Sequence, residues 1–136
     1  MLSVICLPLA GNHAAGIYDP DHHELVAPAP ADLDASLRAN RESVSEICGV
    51  AMGTTLQFAA DIERAEAAYE HSGTLVWRDA GALLVVIALI ADALGLAATP
   101  LGRIGGTVVR AAGLLEPRWR AAGAVHIASR RSAMPE

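Results

Sequence analysis

The chain has 136 residues, which is enough for one domain and short for two. Apolar residues make up 53% of it and few of them are aromatic, so alanine, leucine, valine and isoleucine must build the core. The net charge of −5, with no lysine, argues against a nucleic-acid partner. So apolar a composition in so small a chain predicts that some apolar surface is covered by a partner.

The first half of the chain predicts a strand, a hairpin and helical segments. Residues 2–7 are typical of a strand, and residues 15–18 and 24–27 predict a hairpin closed by Asp19, Pro20 and Asp21. Asp32 is expected to cap a helix to about residue 40, and residues 43–47 predict a further short helix. Cys6 and Cys48 are too few for a disulfide scaffold, and we expect a reduced pair.

The second half predicts a buried strand, three helices and a closing strand. Residues 50–59 are typical of a buried strand, and Asp61 is expected to cap a helix over residues 62–70. A long helix follows over residues 75–94, with a turn at Pro100, Leu101 and Gly102 after it. Residues 105–112 predict another helix, and residues 121–129 predict a last strand. This order of elements indicates an α+β domain over residues 1–131, with a tail at 132–136.

The long helix is the most apolar part of the chain. Between Asp79 and Asp92 it carries twelve uncharged residues, about 18 Å of helix, against about 30 Å for the hydrocarbon core of a bilayer. The sequence therefore favours a helix buried on nearly all sides over a membrane span. The absence of a basic segment before the apolar start of the chain also disfavours a signal peptide, and we expect a cytoplasmic protein.

Three segments carry a resemblance to a known family. The hairpin GIYDPDHHELV resembles that of flavin-dependent nitroreductase-like proteins, especially the azoline (thiazole/oxazole) dehydrogenase branch. The segment WRDAGALLVVIALIADALGLAATPLGRIG is similar to that family's long central helix and following turn. The segment AGAVHIAS is similar to its closing strand, and the three segments occur in the family's order.

The resemblance implies a nitroreductase-like α+β fold, with a small mixed or antiparallel sheet and a long central buried helix. It implies an intimate dimer, either a homodimer or a heterodimer with a nitroreductase-like paralogue, with FMN at the interface. It also implies two-electron chemistry on a small-molecule or peptide substrate. The turn after the central helix would donate a backbone N–H to flavin N5, which gives Leu101, Gly102 and Arg103 as cofactor-binding residues.

Further roles come from the same resemblance. Arg130 and Arg131 follow the last strand and are expected near the FMN phosphate, which arginine binds well. Tyr69 matches a catalytic tyrosine of the azoline dehydrogenases, with a helix-end packing role as its alternative.

The sequence departs from the family's pattern at three points. Ala68 stands where the azoline dehydrogenases have a lysine, and Arg103 replaces a glycine of the turn. The family's N-terminal Arg-x-Ser-x-Arg segment, which grips FMN, has no counterpart in this chain, so the resemblance implies an N-terminally shortened domain.

The sequence signals for a metal site or for another catalytic chemistry are weaker. The sequence DPDHH suggests a metal site, but adjacent histidines on a strand point to opposite faces, so we expect none. His126 is expected to be a core or interface histidine, and no nucleophile elbow or phosphate-binding loop is present.

Two functions remain open. The first is an FMN-dependent oxidoreductase whose flavin site is completed by a partner chain. The second is a non-catalytic subunit that shapes the site of a full-length paralogue, with peptide natural-product modification as a possible setting.

Overall fold

The computed structural model describes residues 2–10, 15–49 and 52–130. These residues form one six-stranded sheet in the order β3-β2-β1-β4-β6-β5, in which every pairing is antiparallel. The strands are β1 (Leu2–Pro8), β2 (Gly16–Asp19), β3 (Glu24–Val26), β4 (Thr54–Asp61), β5 (Leu96–Leu101) and β6 (Trp119–Ser129). The helices are α1 (Pro30–Cys48), α2 (Ile62–Ala68), α3 (Ser72–Ala93) and α4 (Gly106–Ala111). The predicted α+β class is therefore confirmed.

Strand β4 lies at the centre of the sheet and has helices on both of its faces. Successive side chains of a strand point to opposite faces. Phe58 and Ala60 contact the residues of α2 and α3 on one face, whereas Ala59 packs with the residues of α4 on the other. The domain therefore has three layers, with α1 and α4 on one side of the sheet and α2 and α3 on the other.

Helix α3 packs on the sheet through one side only. Val76, Ala80 and Ala91 are buried against it. The opposite side, here called the outer face of α3, is exposed in the single chain. It carries Trp77, Val85, Val86 and Leu89, and the exposed Ile90 and Leu94 lie at its edge, beside a groove shared with the strands. The predicted burial on nearly all sides is therefore wrong for the chain alone, because no second layer among residues 2–10, 15–49 and 52–130 covers this face.

By length and composition, α3 is also the one helix among the described residues that could cross a membrane. Its inner side belongs to the apolar core that it shares with Phe58 and Val125. Since that core lies against the sheet, α3 forms part of a folded layer in this structure.

Several predicted boundaries differ from the structure, most of all those of α1 and of the segment after α3. The segments predicted as two helices form the single helix α1, because nothing between Asn40 and Ser43 interrupts the backbone. Pro30 occupies its first turn, where a missing N–H is tolerated, and Asp32 lies inside that turn instead of capping it. The predicted capping role of Asp32 is therefore wrong.

The predicted turn after α3 is also wrong in part. Pro100 and Leu101 belong to β5, where Leu101 is paired with Ala124. Strand β5 is an edge strand of the sheet, which is a position that tolerates proline. The chain leaves the sheet only at Gly102.

The start of α2 is fixed by Asp61, as the sequence predicts. Its Oδ1 accepts a hydrogen bond from the backbone N–H of Arg64 at 3.2 Å, which is an N-cap interaction. Its Oδ2 accepts a bond from Arg118 Nη2 at 2.8 Å, which ties the helix to the segment before β6. Chiefly the Arg118 hydrogen bond, and then that of the Arg64 backbone, lower the pKa of Asp61.

We expect Asp61→Asn to make the free energy of unfolding less sensitive to acid. Because the pKa of Asp61 is lower in the folded chain, its contribution is present above the unfolded value of about 3.9 and is lost as pH falls through the folded value. Asparagine can keep the cap through its Oδ1, but its amide nitrogen cannot accept from Arg118. The substitution therefore removes the charge and the Arg118 hydrogen bonds, at a cost of about 1 kcal/mol at neutral pH.

Urea unfolding between pH 7 and pH 3 measures this effect. The wild type should lose more stability than Asp61→Asn over that interval. The matched control is Asp34→Asn at an exposed position of α1, which should follow the wild type. Parallel pH curves for all three proteins would contradict the assignment.

Candidate functional site

A cluster of buried polar side chains lies between α1 and the sheet. Its members are fully or almost fully buried: Ser36, Asn40, Thr55, Gln57 and His126. The opposite face of the sheet, under α3, has an apolar core of phenylalanine, alanine, isoleucine and valine. Buried polar groups generally need hydrogen-bond partners. The face under α1 is therefore organised by hydrogen bonds, whereas the face under α3 is organised by apolar packing.

Three of these side chains and Arg103 form one directed chain of hydrogen bonds. Arg103 Nη2 donates to Asn40 Oδ1, and Asn40 Nδ2 donates to Thr55 Oγ1 at 3.0 Å. Thr55 Oγ1 lies 3.1 Å from His126 Nδ1, and His126 Nε2 lies 2.8 Å from the Met52 carbonyl oxygen.

The direction of this chain follows from the chemistry of its ends. A carbonyl oxygen only accepts, so His126 Nε2 carries the hydrogen. Nδ1 of a neutral imidazole then accepts from the Thr55 hydroxyl, which is free to accept from Asn40. The network therefore fixes the position of the Arg103 guanidinium from the interior of the sheet.

A bulge in β6 attaches the loop of Arg103 to the sheet. The pairing shifts by one residue between Gln57 and Ala59, next to Gly123 at φ +106°. The Gly123 N–H donates to the Ile104 carbonyl at 3.1 Å, and its own carbonyl accepts from Gln57 Nε2 at 2.8 Å. Bulges leave a residue outside the ladder in this way, and they often lie near functional sites.

Gly105 lies directly over the side chain of Gln57. Gln57 Nε2 donates to the Ile104 carbonyl at 2.8 Å, and a Cβ on Gly105 would lie 2.0 Å from Gln57 Oε1. Gly105 also has φ +91°, which disfavours a side chain. The loop can therefore approach the sheet this closely only with glycine at this position.

A cavity of about 320 Å³ opens between α1 and the loop that carries Arg103. It is lined by Ala39, Glu42, Ser43 and Glu46 of α1, and by Arg103, Gly105, Gly106, Thr107 and Val108 on the other side. This volume is at the lower end of the range for small-molecule sites. We call it the α1–α4 cavity.

Arg103 has an unusual electrostatic position at this cavity. Its Nε and Nη1 atoms are buried and have no hydrogen-bond partner among the described residues. Burial lowers the pKa of Arg103, and the nearby Cys48 side chain opposes that effect. An ionised group with incomplete partners is costly to bury, so Arg103 has an unmet electrostatic requirement inside the domain.

The structure separates the predicted cofactor residues into two places. Leu101, Gly102 and Arg103 lie together at the end of β5. Arg130 lies beyond Ser129, which pairs with Leu96, so about 17 Å of strand separates the two places. Arg130 donates to the Leu96 carbonyl and forms an ion pair with Asp92. Arg131 falls outside the described residues.

Tyr69, the predicted catalytic residue, lies on the other side of the sheet. It follows α2, where its N–H donates to the Ala65 carbonyl, and its side chain is 48% exposed. Within one chain, the sheet stands between Tyr69 and Arg103, so the structure does not bring them together.

The hairpin histidines make separate contacts. His22 Nδ1 lies 2.7 Å from Asp19 Oδ2, and His23 Nδ1 lies 2.7 Å from the Tyr18 hydroxyl. Ligand atoms of Asp19, His22 and Glu24 lie within 4.8 Å of one another at this exposed tip. His23 takes no part, so only one of the adjacent histidines joins this group.

Sequence reasoning missed Asn40, Thr55 and Gln57 as members of the site. A signal was present, because Thr55 and Gln57 alternate with Leu56 and Phe58 in a strand that was predicted to be buried. Polar residues on one face of a buried strand indicate either solvent or a polar core. Of the two positions expected for His126, core or interface, the structure shows the core, since the residue is 4% exposed.

The chain finds no match among protein-family models and none among curated proteins. The nitroreductase-like resemblance therefore depends on the sequence segments alone. The geometry described above must support any functional proposal independently.

We expect Gly105→Ala to destabilise the domain strongly. The added Cβ meets Gln57 and imposes a left-handed conformation on alanine, which together should cost about 2–5 kcal/mol. The matched control is Gly81→Ala in α3, where a Cβ meets nothing within 4 Å and helix propensity improves. Guanidinium unfolding measures both, and equal stabilities would contradict the close packing of this loop.

Proposed function

We propose that this chain is a subunit of an FMN-dependent oxidoreductase of the nitroreductase type, acting in the cytoplasm. A second chain, identical or a nitroreductase-like paralogue, would complete the flavin site against the loop at the end of β5. When bound, FMN would supply two-electron transfer to or from a small-molecule or peptide substrate. The free backbone donors of this loop are the observation that carries the proposal.

The loop has the properties that a flavin ring requires. The amide N–H groups of Gly102 and Arg103 have no hydrogen-bond partner among the described residues. A Cβ on Gly102 would meet nothing within 4 Å, so a planar ring could approach the backbone here. Such amides can hold a hydrogen bond to a flavin nitrogen without adding an acid to the site.

The described residues fit the ring of FMN better than its phosphate. Arg130 is about 17 Å along the sheet from the loop and is engaged by Asp92, so one FMN would have to lie along all of β5 to reach both. A phosphate needs several charged or backbone donors. We therefore assign the phosphate contacts to the partner chain in this proposal.

The outer face of α3 supports a partner of this kind. Leu89 is 67% and Leu94 69% exposed, and an apolar groove beside them is lined by residues of α3 and the adjoining strands. Several large apolar side chains exposed together on one helix are typical of an interface.

The alternative is a non-catalytic subunit that keeps the interface and has lost the cofactor. The position of Arg130 favours this alternative. Its guanidinium is already paired with the Asp92 carboxylate, so fewer of its N–H groups are available to a phosphate. Both functions use the outer face of α3, and they differ in whether FMN binds.

Absorbance and fluorescence titration with FMN distinguishes the two. For the enzyme, we expect the purified protein to bind FMN stoichiometrically, with quenched flavin fluorescence and absorbance between about 350 and 500 nm. Gly102→Val should weaken binding at least tenfold by obstructing the ring, while Gly73→Val, at another open glycine, should not. No binding, alone or with a full-length paralogue, would favour the non-catalytic subunit.

Sedimentation measures the interface separately. We expect a species of twice the 14.1 kDa chain mass, and Leu89→Glu should convert it to the monomer because a carboxylate would be buried. The matched control is Leu115→Glu, at a leucine that is 58% exposed away from α3. A wild-type monomer that also fails to bind a paralogue would contradict the two-chain site.

A further inference from the structure

The tip of the β2–β3 hairpin holds three metal-ligating side chains close together. Asp19 and Glu24 form the last pair of the two strands, and His22 lies in the loop between them. One ligand atom of each residue lies within 4.8 Å of those of the other two. The hairpin forms one edge of the sheet and β5 forms the other, so this group is independent of the loop that carries Arg103.

The pairing of the two strands places like charges side by side. Residues directly opposite each other in an antiparallel pair have Cβ atoms about 5 Å apart on the same face, and like charges there are destabilising. Asp19 and Glu24 stand in this relation, and Asp21 in the loop adds a third carboxylate. No arginine among the described residues forms an ion pair with any of the three. A cation bound between the two strands would therefore offset an existing repulsion.

The imidazole of His22 determines which cation fits this group. Its Nδ1 lies 2.7 Å from Asp19 Oδ2, so the ring and the carboxylate already share one small space. Ca²⁺ and Mg²⁺ take oxygen ligands, whereas an imidazole combined with carboxylates suits zinc and the neighbouring first-row metals. Neighbouring ligand atoms around a tetrahedral zinc ion lie about 3.3 Å apart. Because the His22 and Glu24 side chains are exposed, they can reach that spacing by rotation.

His23 supports the loop and does not compete for the ion. Its Nδ1 lies 2.7 Å from the Tyr18 hydroxyl, and its ring packs edge-on against the Tyr18 ring. The sequence argument against a metal site concerned two adjacent histidines that bind one ion. The structure assigns the two rings to different partners, and the group needs only one histidine with two carboxylates.

We propose that Asp19, His22 and Glu24 bind one zinc-like divalent cation, with water completing its coordination. The ion would join β2 to β3 at the edge of the sheet, where the two carboxylates otherwise repel each other. The ring nitrogen of His22 that binds the ion must carry no hydrogen, and an exposed imidazole can adopt either tautomer. This proposal goes beyond the proposed function and requires no flavin.

The test uses the full chain without FMN, at pH 7 in a buffer that does not bind metals. Zinc chloride is titrated by calorimetry, and the backbone amide signals of Asp21 and His22 are followed by NMR. We expect one Zn²⁺ ion per chain, with a Kd below about 100 μM and saturable shifts of both signals. Mg²⁺ and Ca²⁺ should bind about tenfold more weakly or not at all, because they gain little from an imidazole.

Pairs of neighbouring residues supply matched variants at exposed positions. His22→Asn should weaken zinc binding by about tenfold or more, whereas His23→Asn should change it less than about threefold. Asparagine tolerates the left-handed backbone of His23, at φ +54°. Glu24→Gln should weaken binding by about fivefold or more, whereas Asp21→Asn removes the same charge beside the group and should change it less than about threefold.

Four results would overturn the proposal. The first is the absence of saturable zinc binding. The second is an equal loss in Glu24→Gln and Asp21→Asn, which would indicate a diffuse acidic surface. The third is Ca²⁺ binding as tightly as Zn²⁺. The fourth is an unchanged affinity in His22→Asn, which would place the ion elsewhere, such as at the free thiols of Cys6 and Cys48. None of these results affects the flavin titration, which measures a different ligand at another edge of the sheet.

Discussion

The structure depends on the two-sided burial of β4. This strand has neighbours on both edges and helices on both faces, so most side chains along it are buried and must find partners inside the domain. Phe58 and its apolar neighbours meet that requirement under α3 by packing. Thr55 and Gln57 meet it on the other face by hydrogen bonds to Asn40, His126 and backbone carbonyls. One strand thus divides the domain into an apolar side and a polar side.

The division explains where chemistry can occur. On the polar side, the network reaches Arg103, and the β6 bulge draws the loop after β5 onto Gln57. On the apolar side, α3 covers the sheet and leaves its own outer face without a partner. The two proposed surfaces, a ligand site and an interface, are therefore separated by the thickness of the sheet. A reaction that used both Tyr69 and the loop would need residues from two chains.

Local sequence signals predicted those elements whose boundaries are marked by turn and cap residues. The β2–β3 hairpin follows from Asp19 and Pro20, and α2 follows from the Asp61 cap. Local signals alone also predicted two helices in place of α1 and a turn at Pro100. The turn was wrong because the pairing of β5 with β6 is a long-range property that local preference does not contain. The site was only partly predicted: Gly102 and Arg103 were chosen, but the residues that hold Arg103 were not.

The sequence by itself determined the α+β class, the hairpin, the long apolar helix and the glycine-rich segment after β5. These follow from composition, periodicity and turn chemistry, all of which act over a few residues. Only the tertiary structure decided that Asn40, Thr55, His126 and Arg103 form one network, and that Arg130 lies far from it. The reason is physical: antiparallel pairing sets which ends of distant strands are neighbours, and burial then decides which polar groups must find each other.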